Sequence, residues 1–155
     1  MARKTVSIAH TAALALVASW LGLTAAVAQT AAPADADIVN LACTVAKGGI
    51  CRPGEDCKQT ERVGAEALPL SITIDFDNRV VMSPVSRGYV STSRIALLAH
   101  DQDQLMLHGI EHGFAWLISV HETTRVLSMT VASVRGVFVG FGDCVPVSEL
   151  QAKKN

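Results

Sequence analysis

Basic runs are missing from this chain. Beyond residue 28 the longest is the pair Lys153-Lys154, and in all 13 Lys and Arg stand against 14 Asp and Glu. Nucleic-acid binding needs clustered cations to neutralise phosphates, so no nucleic-acid partner is expected. A G-x-S-x-G nucleophile turn, a phosphate-binding glycine loop and any C-x-x-C pair are also lacking. Ser, His and Asp side chains therefore have no local geometry that would make them catalytic. After residue 28 no segment carries a sustained 3.6-residue period, no internal repeat stands out, and no apolar run reaches the roughly 20 residues that span a bilayer. What remains is a chain of 155 residues, long enough for about one small domain.

What is present begins with an export signal. Arg3 and Lys4 form a positive start, residues 6–23 form an apolar run, and Ala26-Val27-Ala28 supplies a small-x-small cleavage site. Residues 1–28 are therefore expected to be a signal peptide, with cleavage before Gln29 and no membrane insertion afterwards. A lipid-anchored form is disfavoured, because Cys43 lies well past the apolar run and Asn40 stands where a lipobox wants leucine. Export implies a periplasmic or secreted protein, and both locations permit disulfides. Residues 29–37 are small and polar, with a proline, and read as a flexible leader. A single β-rich domain is expected over 38–147, followed by a C-terminal tail over 148–155.

Within that domain the apolar residues alternate. Val39, Leu41, Cys43 and Val45 predict an opening strand that stops at Lys47-Gly48-Gly49. The charged, turn-rich stretch 51–64, with Pro53-Gly54 inside it, reads as a loop. Leu70, Ile72, Ile74 and Phe76 predict a strand, the turn Asp77-Asn78-Arg79 follows, and Val80-Val81-Met82 completes a hairpin. Short strands are expected over 94–99 and 104–110, with a helix over 96–100 the alternative to the first. Phe114, Trp116, Ile118 and Val120 mark a further strand with the aromatics on its core face, a turn falls over 122–125, and strands over 127–131 and 137–141 end the domain. Six to eight strands at this spacing predict an all-β fold: an antiparallel meander forming a small sandwich or partial barrel, stapled by two disulfides.

Four cysteines in an exported chain allow three pairings. Cys51 with Cys57 closes a loop already bent by Pro53-Gly54, and Cys43 with Cys144 ties the first strand to the end of the last. These are structural staples: five residues separate Cys51 from Cys57, which is the wrong spacing for a redox pair, and paired zinc-ligand spacing is missing.

One string has the look of chemistry. His108-Gly109-Ile110-Glu111-His112 matches the H-x-x-E-H zinc-hydrolase pattern. That mechanism requires a helix, on which both histidines face one metal with the glutamate beside them as general base. Gly109 and Gly113 and the flanking alternation oppose a helix, and on a continuous strand the two histidines stand about 13 Å apart. A hairpin turning around 109–113 brings them nearer. A turn is the favoured reading, with His108, Glu111 and His112 as metal ligands the alternative.

The strings Ile74-Asp75-Phe76-Asp77-Asn78-Arg79-Val80, Gly113-Phe114-Ala115-Trp116-Leu117-Ile118-Ser119-Val120 and Phe141-Gly142-Asp143-Cys144 resemble a loose group of small exported, disulfide-containing proteobacterial proteins of no known activity. In this chain Thr124-Arg125 stands where that group has a Thr-Gly turn. The resemblance implies export, β structure and disulfides, and brings no catalytic residues with it. The function expected is thus a non-catalytic envelope or secreted binding module, without cofactor, whose partner is an envelope or extracellular protein or a small ligand. Small periplasmic inhibitors of cell-wall hydrolases are one form of such a module, by analogy of size and build. The alternative is a metal-binding protein or zinc-dependent hydrolase using the histidine cluster. Intact-mass measurement and thiol titration of the exported protein check the first stage of this reading: an N-terminus at Gln29 and no titratable thiol are expected.

Overall fold

The computed structural model describes residues 38–85 and 88–153, so the signal and leader assigned to residues 1–37 and the last two residues of the expected tail lie outside the described residues. Among the described residues twelve strands and one short helix follow one another. They are β1 (Leu41–Cys51), β2 (Lys58–Thr60), β3 (Arg62–Val63), β4 (Glu66–Ala67), β5 (Leu70–Asp75), β6 (Val80–Pro84), β7 (Val90–Arg94), β8 (Leu97–Asp101), β9 (Gln104–Glu111), β10 (Phe114–His121), β11 (Val126–Ser133), β12 (Gly136–Pro146) and α1 (Val147–Ala152). The main sheet is antiparallel in the order β7-β6-β5-β1-β12-β11-β10-β9-β8, with β2 added beside β1, and β3 and β4 form a separate small hairpin. The sheet curls into a half-barrel, which settles the choice between sandwich and partial barrel.

Alternation sends one side chain of each pair to the concave face. Leu41, Cys43 and Val45 of β1, Ile72 and Ile74 of β5, Leu105 and Leu107 of β9, Ile118 and Val120 of β10, and Leu127 and Met129 of β11 are all buried there. Each such side chain contributes about 1.5–3 kcal/mol of transfer free energy on leaving water. The fully buried set clusters at one end, where Leu41 pairs with Ile74 and Val120 with both Leu127 and Leu105. Asn40 closes this end. Its Oδ1 accepts from the Phe76 amide at 2.8 Å, its Nδ2 donates to Asp77 at 2.9 Å, and its carbonyl accepts from the amide of Val147 at 2.9 Å, which fixes the start of α1. In the adjoining turn Asp75 accepts from the backbone and side-chain nitrogens of Asn78 at 2.9 and 2.7 Å. Those donors, the Asn78 side chain foremost, hold the Asp75 carboxyl below its usual range.

Both expected disulfides are present, Cys43–Cys144 and Cys51–Cys57. Cys43 and Cys144 are also direct partners in the β1–β12 ladder, so the covalent and hydrogen-bonded links between first and last strands coincide.

Four expectations need correction. β1 does not stop at Lys47-Gly48-Gly49: a bulge between Val45 and Lys47 bends it, and it runs on to Cys51 opposite β12. The ring of Phe138 fills the space that a Cβ at Gly48 or Gly140 would take, so these glycines serve close packing rather than a turn. The stretch 51–64 is loop only in its first half, since β2 and β3 follow Cys57. The single strand expected over 94–99 is two strands. The Ile95 amide bonds to the carbonyl of Arg79, and the next amide, of Ala96, bonds to that of His108, each at under 3 Å. Consecutive residues therefore serve opposite edges of the sheet, and the chain crosses from one to the other. Finally, α1 occupies most of the segment expected to be tail.

The two staples differ in the loops they close, with sequence separations of 101 and 6 residues. By the chain-entropy estimate they contribute about 4–5 and about 2 kcal/mol respectively. Cys144→Ser is thus expected to lower the denaturant midpoint distinctly more than Cys57→Ser. Equal losses in urea titrations would overturn this ranking.

Candidate functional site

At the end of the half-barrel away from Asn40 the concave face is not filled. A cleft of about 450 Å³ opens there, walled by Leu70, Ile72 and Val81 on one side and Trp116, Ile118, Met129 and Val131 on the other. A second lobe of about 520 Å³ lies beside it, lined by Ile50, Phe138, Arg52 and Arg135 among others. The two lobes share Val63, Phe114 and Val131. Val63 comes from the β3–β4 hairpin and packs against the core cluster. Each volume falls within the roughly 300–1,000 Å³ range of small-molecule sites, and the walls are mainly apolar, as such sites are.

The cleft exists because the sheet does not close along the β7–β9 seam. Past Ile95-Ala96 the two edges are joined by a side chain: Trp116 Nε1 donates to Ser93 Oγ of β7 at 2.7 Å. Trp116 reaches that far by lying flat over Gly109, its partner across the β9–β10 ladder. A Cβ at position 109 would strike the indole and the Arg94 carbonyl. Trp116 is 9% exposed, as expected of a core residue, whereas Phe114, expected on the same core face, is 43% exposed. Phe114 is the last pair before the hairpin turn, beyond the packed core, so its ring stands at the mouth.

The H-x-x-E-H residues do not converge. β9 and β10 are joined by a two-residue turn, His112-Gly113, with Glu111 opposite Phe114. Both turn residues have left-handed backbones, φ 48° and 81°, the combination a twisted hairpin requires and glycine favours. This turn is tighter than one spanning 109–113, so His108 lies well down the strand, paired with Leu117 and Leu97. Three residues apart on one strand, His108 and Glu111 face opposite sides of the sheet. His108 points to the outer face, where its Nδ1 is buried without a hydrogen-bond partner. Glu111 lines the cleft rim beside His112, Oε1 to Nδ1 3.3 Å. Elsewhere His100 Nε2 meets Glu122 at 2.9 Å, and His121 Nδ1 accepts from the Thr124 amide at 3.3 Å. Among the described residues no three His, Cys, Asp or Glu side chains are grouped so as to hold a metal ion, and no helix is long and apolar enough to cross a membrane.

The cleft escaped sequence reasoning because its walls come from strands far apart in the chain. The one local signal was Phe114 at the end of an alternating strand. Compared with known protein families, curated proteins and solved structures, the chain matches none.

His112 sits where asparagine is the preferred residue ahead of glycine in such a turn. His112→Asn is expected to hold or slightly raise stability, within about 0.5 kcal/mol, with the metal content of the purified protein unchanged. Thermal unfolding together with elemental analysis reads both.

Proposed function

We propose that this is a non-catalytic binding protein of the periplasm or cell exterior that takes an apolar ligand, or an apolar group of a partner, into the cleft at the open end of the half-barrel. The observation that carries this reading is the cleft's lining. Two of its hydroxyls are already engaged, Ser93 by Trp116 and Ser83 by the carbonyls of Ser71 and Pro84. Its carboxylate–imidazole pair, Glu111 with His112, has no nucleophile bonded to it among the described residues. Such a wall desolvates apolar surface and offers few groups that would move protons or attack a carbonyl. Two disulfides with no free thiol are compatible with an oxidising compartment.

A solvatochromic apolar dye such as N-phenyl-1-naphthylamine tests the reading. Saturable binding with one site per chain is expected. Phe114→Glu, which puts a charge at the mouth where the ring is already part exposed, is expected to weaken it by about tenfold or more while leaving the melting temperature nearly unchanged. Absence of saturable dye binding by the wild-type protein would overturn the proposal.

A further inference from the structure

The cleft is electrically lopsided. At its far lobe stand two arginines, Arg52 from the stretch after Cys51 and Arg135 from the β11–β12 turn, and among the described residues no acidic side chain lines that lobe. They are held near one another. Cys51 pairs with Val137 in the β1–β12 ladder, and Gly136 lies so close that a Cβ there would come within 3.4 Å of the Arg52 side chain. Their compensation is thin. Arg52 reaches Glu55 only at 3.8 Å, and Glu55 is shared with Lys58 at 3.6 Å. Among the described residues Arg135 makes no ion pair. At the other rim, among the described residues, the charged lining group is the Glu111 carboxylate.

We infer that the cleft binds a long-chain fatty acid, its carboxylate between Arg52 and Arg135 and its acyl chain laid through both apolar lobes past Phe114 and Val131. The inference rests on the reading of the cleft as a binding site and adds ligand class and orientation. Two guanidinium forks present planar donors suited to a carboxylate. The apolar walls remove the chain from water. Glu111 repels an anion at the opposite rim, so the head has one favourable place. A neutral or cationic amphiphile of the same chain length gains the apolar contacts alone.

Displacement of bound N-phenyl-1-naphthylamine by hexadecanoate, hexadecanol and hexadecyltrimethylammonium, each below its micelle concentration, tests this. Hexadecanoate is expected to displace the dye at a concentration about tenfold lower than hexadecanol, the gain of one charged hydrogen-bonded contact, with the ammonium weakest. In the double variant Arg52→Gln with Arg135→Gln the preference for the acid is expected to vanish while hexadecanol binds as before. Both side chains are on the surface, and unchanged melting confirms that the variant is folded. Equal displacement by acid and alcohol, or an acid preference that survives in the double variant, overturns the inference. Dye binding that none of the three amphiphiles displaces also overturns it, yet leaves the cleft as a site for other apolar groups. Failure of the dye itself removes both.

Discussion

The pairing of β1 with β12 is the constraint on which the other features depend. Every other ladder of the main sheet joins strands that are neighbours in the chain or, for β5 and β2 beside β1, near neighbours. Only β1–β12 brings the beginning and end of the domain together, over a register running from Leu41 with Pro146 to Cys51 with Val137. Without it the chain would hold two separate antiparallel units, one of β1, β2 and β5 to β7 and one of β8 to β12, joined by Ile95-Ala96 and each with an unshielded apolar face. With it the sheet is continuous and can curl. Cys43–Cys144 locks this pairing at its most buried point, where closing so long a loop has the largest entropic effect.

The curl then distributes the side chains unevenly. At the Asn40 end large aliphatic residues from five strands meet and exclude water, and polar groups there satisfy one another through Asn40, Asp77 and the first turn of α1. At the opposite end the concave face is left unfilled, and the cleft opens there. Phe138 folds back over Gly48 and Gly140 instead of projecting into the space, and Trp116 is drawn aside to Ser93. The two largest rings near the open end are thus turned against the walls, and the volume between them stays free.

Period-two alternation made most of this fold legible in the sequence. The hairpin from Leu70 to Met82, the strand carrying Trp116, and the two cysteine pairs needed only local spacing and loop length. Gly48-Gly49 misled, because a glycine pair that ends a strand and one that makes room for a distant aromatic ring look alike until Phe138 is placed. Residues 94–99 misled for a related reason: which edge an amide serves is decided by Arg79 and His108, which lie on either side in sequence. The histidine string illustrates the opposite case. Its glycines and flanking alternation opposed the helix that zinc chemistry requires, and what local spacing left open was the length of the turn, which is the two residues His112-Gly113 rather than the stretch 109–113. Arg125 occupies a left-handed position, φ 61°, which costs a residue other than glycine some backbone strain. The cleft was not legible, since no short stretch of chain contains it.

The crossing at Ile95-Ala96 also governs how the half-barrel yields under load. There the two sheet edges are one covalent backbone, so at that point they cannot part at all. Away from it the seam depends on the Trp116–Ser93 hydrogen bond and on packing. Any widening must therefore taper from a fixed pivot, like the jaws of a peg, and be greatest at the mouth.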